Sequence, residues 1–383
     1  PTTMTDMSPK IMKGCQGDAT LLKPTVMCAV PLILDRLYKN ITDNLEKKGP
    51  LFKEIFDNFY QYKLYWLKYG METPLLDILL FKKIKGLLGG KMKWIMVGGA
   101  PLSQATHDFI RVCLGAFITQ GYGLTESTCT GTLMENGDLS TGTVGKPMTG
   151  LHVKLIDWKE GNYNVTDRPN PRGEIVLGGN TICQGYFKMA QKTKEDFFMQ
   201  DGIWWFKTGD IGELDHNDKL KIIDRKKDLV KLQHGEYVSL GKVEAQLKTH
   251  HLVENICVYG DSYKNCTVAL VSFRIVRPDS GFDYFSSLQV VPSKDHLDDI
   301  AKSCQLALKG IPSDKNIKDK VLKELTNHGL KRGLGKFEIP ANFTLISEPW
   351  TPESGIITAA FKLKRKVIQD LYQNEINQMY KTM

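Results

Sequence analysis

The sequence predicts an α/β protein with a layered first domain, a β-rich subdomain inside it, and a smaller α+β domain at the end. Three observations carry this. Strand, glycine turn and helix follow one another twice between residues 92 and 127. Residues 140–224 are rich in strand patterns punctuated by Gly and Pro. From residue 225 the pattern changes to a charged joint followed by helix, hairpin and helix, which sets the domains at 1–224 and 225–383.

Each element has its own signal. Residues 24–45 read as a buried strand, centred on MCAVPLIL at 27–34, and then an amphipathic helix. Leu51, Phe52, Ile55, Phe56 and Phe59 recur at helical spacing and predict a core-facing helix over 51–63, although such a stripe also suits a membrane or an acyl chain. MKWIMVGGAPLSQATHDFI (92–110) is a strand running into Gly98 and Gly99, with a helix starting near Ser103. AFITQGYGLTES (116–127) repeats that grammar. TGTVGKPMTG (141–150) and RPNPRGEIVLGGN (168–180) belong to the β subdomain, and LKIIDRKKDLVK (220–231) passes from strand to hinge. KVEAQLKT (242–249) reads as a helix, residues 255–273 as a two-stranded hairpin, and 296–328 as mainly helical.

Composition bounds the function. Hydrophobic content of 42% and charged content of 25% are ordinary for a globular protein that buries a sizeable core. A net charge of +8 suits anionic small molecules or an acidic membrane surface. No arginine-rich tract or zinc-finger spacing is present, so nucleic acid is not expected as a partner. The eight cysteines, from Cys15 to Cys304, form no CxxC pair and read as reduced, buried thiols in a cytosolic setting. The eight histidines show no HExxH spacing, and adjacent His250 and His251 point apart, so no His/Cys metal site is expected. No apolar run reaches the ~18 residues of a membrane span. The closest approach to a phosphate loop, GLLGGKMK (86–93), lacks a hydroxyl after its lysine, and no GxSxG elbow occurs.

Five motifs carry possible chemistry. In GYGLTES (121–127) the glycines admit a flat ligand close to the backbone, Tyr122 offers a ring, Thr125 a hydroxyl, and Glu126 a hard oxygen ligand for Mg²⁺; an ordinary glycine turn is the plain alternative. VGGAPLS (97–103) makes room for a ring at a strand end. KTGDIGE (207–213) places Asp210 in a tight glycine-flanked turn, where it either binds a vicinal diol or satisfies its own turn. IIDRKKDLVK (222–231) is a solvated charged turn or a hinge presenting Arg225. PWTPESGIITAAFKLKRK (349–366) is a loop whose lysine can swing onto charge developing at phosphorus, or a basic helix face.

Taken together and in this order, QGYGLTES, GEIVLGG, GYF, TGD, IIDRKKD, GEYVS, VE and FKLKR resemble the adenylate-forming enzymes. The form KIIDRKKDLVKLQHGEYVSLGKVE is similar to long-chain fatty acyl-CoA synthetases, and the resemblance spans essentially the whole chain. It implies ATP, Mg²⁺ and CoA as cofactors and co-substrates, and a long-chain fatty acid as substrate. Gly99, Ala100 and Tyr122 would hold adenine. Thr125 and Glu126 would face the phosphates and Mg²⁺, and Asp210 and Arg225 the ribose. Lys227 matches the hinge, Gly235 the pantetheine path, and Lys362 the catalytic lysine, with Phe361 where the family more often has Gly. The family's Ser/Thr-rich phosphate loop is not among these residues. The missing loop implies a C-terminal portion of such an enzyme, a truncated isoform or an incomplete gene model, with a partial large domain and a mobile C-terminal domain; Pro at position 1 fits either a removed initiator Met or a start inside a longer chain. A binding protein without turnover is the alternative from another class; a luciferase-like oxidase fits the GEYVS form less well. The resemblance also implies peripheral contact with the cytosolic face of endoplasmic reticulum, outer mitochondrial, peroxisomal or lipid-droplet membranes.

Overall fold

The computed structural model describes residues 17–250, 253–273, 315–346, 350–358 and 361–382. The chain divides into two compact units, Pro1–Ile223 and Asp224–Met383.

The first unit holds two sheets. In one, β1 (Val26–Ala29), β2 (Trp94–Val97) and β3 (Phe117–Tyr122) run parallel, and β4 (Thr132–Leu133) and β5 (Lys146–Pro147) extend it antiparallel. Parallel neighbours need crossover helices. These are α1 (Pro31–Glu46), α2 (Pro50–Lys68) and α3 (Gln104–Leu114). The run at 27–34 is therefore not one buried strand. It splits at Pro31, which starts α1 because proline's fixed φ and missing N–H suit the first helical position. The strand half is only partly covered, with Val26 51% exposed.

α2 faces the core with Phe52, Phe56, Tyr60, Leu64 and Leu67. The expected stripe is thus only half right: Leu51, Ile55 and Phe59, with Tyr62 and Tyr65, are exposed. The helix is apolar around more than one face, so periodicity alone could not say which face is covered. Its Lys63 is buried, paired with Asp77, and lies 4.4 Å from the centre of the Phe81 ring. Burial holds its ammonium pKa below the ordinary lysine value. α3 begins as expected: the Ser103 hydroxyl accepts the Thr106 N–H at 3.1 Å, and Gly115 closes the helix in the left-handed region.

The second sheet contains β6 (Leu151–Ile156), β7 (Arg172–Gly179), β8 (Phe197–Gln200), β9 (Ile203–Leu214) and β10 (Leu220–Arg225). β6, β7 and β9 pair antiparallel around Leu151, Ile175, Leu177 and Phe206. β7 is buried along six consecutive residues, so its place in the sheet shows in its Gly and Pro punctuation rather than in alternation.

In the second unit, β11 (Leu229–Lys231) and β12 (Tyr237–Ser239) form a hairpin. β13 (Val253–Tyr259) and β14 (Val268–Phe273) form the expected antiparallel pair, and β15 (Asn342–Ile346) adds in parallel to β14. Alternate residues face opposite sides. Ile256, Val258, Ala269 and Val271 pack with α4 (Leu240–Leu247) and α5 (Lys315–Lys331), while Cys257, Val268 and Leu270 pack with α6 (Arg365–Leu371) and α7 (Gln373–Lys381). Each fully buried aliphatic side chain contributes about 1.5–3 kcal/mol. Of the helical expectation at 296–328, the part before Lys315 lies outside the described residues.

The cysteines divide. Cys113 and Cys257 are buried and their thiols are pushed up by burial, Cys257 to about 12, but Cys28 and Cys129 are exposed. Cys15 and Cys304 lie outside the described residues. Among the described residues no helix is long and apolar enough to cross a membrane.

Candidate functional site

In the first unit the candidate residues gather where β2 and β3 end. Open parallel sheets place ligands at the carboxyl ends of their strands. A Cβ on Gly98 would sit 3.4 Å from the Gly121 carbonyl, so the two glycine turns lie against each other. Gly99, at φ +84°, and Ala100 are exposed just beyond β2. Tyr122 ends β3. A Cβ on Gly123 would stand 2.4 Å from the Cys129 carbonyl, and one on Gly131 2.1 Å from the Tyr122 carbonyl. Only glycine lets these strands of backbone touch.

Thr125 and Glu126 lie in a short 3-10 turn, Thr125–Ser127, that follows. The Ser127 hydroxyl accepts the Leu124 N–H at 3.0 Å and stiffens the turn. Thr125 is exposed and Glu126 half-buried. The Glu126 carbonyl accepts the Cys183 N–H at 2.8 Å, and its Oε1 accepts the Tyr186 hydroxyl at 2.8 Å. Burial and then the bond to Glu126 push the Tyr186 phenol above its ordinary pKa. Tyr186 stands in GYF, but nothing in its spacing marked it as the partner of Glu126.

Asp210 does not sit in a tight turn between elements. It sits in a bulge inside the twelve-residue strand β9, where the register with β7 shifts between Glu174 and Val176. Three bonds shape the bulge. The Thr208 hydroxyl donates to the Ile175 carbonyl at 2.8 Å, the Asp210 N–H donates to the Thr208 hydroxyl at 3.1 Å, and the Gly209 N–H donates to Glu174 Oε1 at 3.1 Å. Gly209 takes φ +71°, which explains the glycine. The bulge aims the Asp210 carboxylate at β3, where the Tyr122 hydroxyl donates to its Oδ2 at 2.8 Å. Two residues singled out 88 positions apart are thus hydrogen-bonded partners.

The other candidates belong to the second unit. Arg225 ends β10, exposed, and its N–H donates to Asp224 Oδ1 at 2.8 Å. Ser239 also donates to Asp224 Oδ1, at 2.8 Å. Burial nonetheless raises the Asp224 carboxyl to about 6. Lys227 is exposed on the 3-10 turn Lys226–Asp228. Gly235, at φ +90°, turns the hairpin between β11 and β12 with open space where a Cβ would be. Lys362 is exposed on a pinched loop: the Lys362 carbonyl accepts the Thr358 N–H at 2.8 Å, and its N–H donates to the Thr358 hydroxyl at 3.0 Å. Before it, Phe361 adopts φ +58° and packs its ring on the core beside α6 and α7.

Residues 4–187 match the AMP-binding enzyme family. Long chain acyl-CoA synthetase 8 of Arabidopsis thaliana is 43% identical over 99% of this chain and 51% of its own length. Over residues 4–187 the chain is similar to AMP-binding enzymes. The peroxisomal long chain acyl-CoA synthetase 7 of the same plant is 36% identical over 95% of the chain and 49% of its own length. The chain therefore spans about half the length of the curated relatives it matches. Among solved structures, the A domain of carboxylic acid reductase from Segniliparus rugosus, in complex with AMP and a co-purified carboxylic acid, superposes with a TM-score of 0.67 at 26% identity, over 95% of this chain and 48% of that one. The anthranilate CoA ligase AuaEII, at 17% identity and TM-score 0.57 over 93% of this chain and 50% of that one, shares the fold. Thr208 and Tyr186 join the candidate residues as hydrogen-bonding partners of Asp210 and Glu126, and Glu174 joins them by holding the Gly209 N–H in the bulge. Only the local backbone geometry reveals them.

Proposed function

We propose that the chain works in the ATP-dependent conversion of long-chain fatty acids to acyl-CoA, with AMP and pyrophosphate as the other products. The single observation that best supports this reading is the Tyr122–Asp210 bond: a ring for adenine and a carboxylate for the ribose diol, joined at 2.8 Å at the strand ends. Similarity to long chain acyl-CoA synthetases along 99% of the chain supports the choice of substrate class.

In the first step a fatty-acid carboxylate oxygen attacks the α-phosphorus of ATP and pyrophosphate leaves. Gly99, Ala100 and Tyr122 hold adenine, and Asp210, with Arg225, holds the ribose. Thr125 and Glu126 face the phosphates. The Lys362 ammonium offsets the negative charge that builds on the phosphoryl oxygens. In the second step the CoA thiolate attacks the acyl carbonyl and AMP leaves with the bonding pair. The second unit turns about Lys227 between the steps, withdrawing Lys362 and presenting the open backbone at Gly235 to pantetheine.

Glu126 fits Mg²⁺ as a shared ligand. It supplies one half-buried carboxylate with Thr125 beside it, and no group of three or more His, Cys, Asp or Glu assembles among the described residues. That suits a hard cation held largely by nucleotide phosphates and water. When bound, Mg²⁺ neutralises phosphate charge. Peripheral membrane contact and a peroxisomal or other organellar address are part of the same reading, from the peroxisomal relatives.

The test is acyl-CoA formation from palmitate or arachidonate by this chain, beside a calorimetric titration with AMP. Turnover supports the ligase. AMP binding without turnover favours the binding-only alternative, and neither result would remove both readings.

A further inference from the structure

Arg365, three residues after Lys362, is partly buried and makes a forked set of bonds. Its Nη1 and Nη2 donate to Glu244 Oε1 and Oε2 at 2.8 and 3.1 Å, a bidentate pair. Its Nη1 also donates to the Val258 carbonyl at 2.8 Å, and its Nε donates to Asp228 Oδ1 at 3.1 Å. Glu244 Oε1 is held in turn by the Val258 N–H at 2.7 Å. Burial alone would lower the Arg365 pKa, but Glu244 and Asp228 carry it above its ordinary value, so the cation is fixed. One guanidinium thus ties three pieces of the second unit together: the end of the Lys362 loop, the helix α4 with strand β13, and the 3-10 turn that carries Lys227.

We propose that Arg365 is a positioning residue that couples the Lys362 loop to the Lys227 turn, so that the two move as one body. The inference rests on the roles given above to Lys362 and Lys227. The Arg365–Asp228 bond runs from the end of the loop to that turn. Lys364 donates to the Ile356 carbonyl at 2.9 Å, and Ile357 bridges Leu363, so those bonds close the loop on itself. Without the Arg365–Asp228 bond, the loop would keep its shape and lose its register to the turn. Lysine would not replace this arginine, because a single ammonium does not span Glu244 and Asp228 in a planar fork.

Hydrogen exchange on the whole chain tests the coupling without needing activity. Arg365→Lys is expected to raise amide exchange in 356–358, 361–364 and 226–231 together by roughly ten-fold, while β14 and β15 keep wild-type protection. Asp228→Asn touches only the outer bond and serves if Arg365→Lys does not fold; it is expected to raise exchange in the same segments. Unchanged exchange in the loop or in the turn, or a rise in β14 and β15 alongside them, overturns the proposal, the latter because it would mark a merely structural arginine. Lys362→Ala, assayed for acyl-adenylate formation, reports separately on the role of Lys362. If adenylate formation survives that change while the exchange result holds, the coupling stands and the catalytic reading falls.

Discussion

Asp210 is almost wholly buried, yet it carries a carboxylate into a strand whose neighbours Ile211 and Phe206 are core residues. Such a group is retained at this depth only with donors around it. Tyr122 is one of them, and it also offers its ring. Tyr122→Phe keeps the ring and removes the bond, so AMP affinity is expected to fall about ten-fold, or about 1.4 kcal/mol; calorimetry that finds wild-type affinity would detach Tyr122 from the ribose acid. Asp224 makes a second case at this scale. Its folded value of about 6 lies above the ordinary 3.8. A raised carboxyl stabilises most below the unfolded value, and that contribution is lost as pH rises through the folded one. Subtracting the Asp224→Asn urea profile from wild type should leave a loss of about 2–3 kcal/mol between pH 4 and 7. A flat difference would mean the carboxyl is not desolvated. Residue identity was legible in the sequence for Tyr122, Glu126 and Asp210, because each stood in a short motif beside glycine. Their partners Tyr186 and Thr208 were not, since side-chain hydrogen bonds leave no periodic trace.

At the scale of elements, the bulge in β9 decides where Asp210 points, and Thr208 organises it. Thr208→Ala removes one donor and one acceptor together. It is expected to cost about 1 kcal/mol of stability and to weaken AMP binding, whereas Thr208→Ser keeps the oxygen and stays near wild type. Equal affinities for both variants would show that the bulge holds without the hydroxyl. Strands and helices were readable where local signals bound them: α3, with its Ser103 cap, and the hairpin strands β13 and β14, whose alternate residues face opposite cores. Reading failed at Pro31 and along α2. The first failure came from treating an apolar run as one element when a proline divides it. The second came from a helix apolar on more than one side. Ser103→Ala should lower stability by about 1 kcal/mol in urea unfolding, the ordinary worth of such a cap, and no change would mean the helix start is held by its packing instead.

For the whole molecule, each unit has its own cores, and the roles proposed for adenine and phosphate fall in the first. Denaturation should therefore resolve into two transitions. AMP at a hundredfold excess over its Kd should stabilise the transition of the first unit by about 2.7 kcal/mol. If AMP raises both transitions equally, the units unfold as one and the assignment of binding to the first fails. The charge run Asp224–Asp228 opens the second unit.

Phe361 adopts a backbone conformation that glycine reaches at no steric expense, yet its ring is seated among the residues under α6 and α7. The loop bearing Lys362 is therefore anchored by a wedge rather than left loose by a permissive joint. Trading that phenylalanine for glycine would relieve the backbone and free the loop at once, so the precision with which the loop presents its lysine is set by a neighbouring hydrophobic side chain.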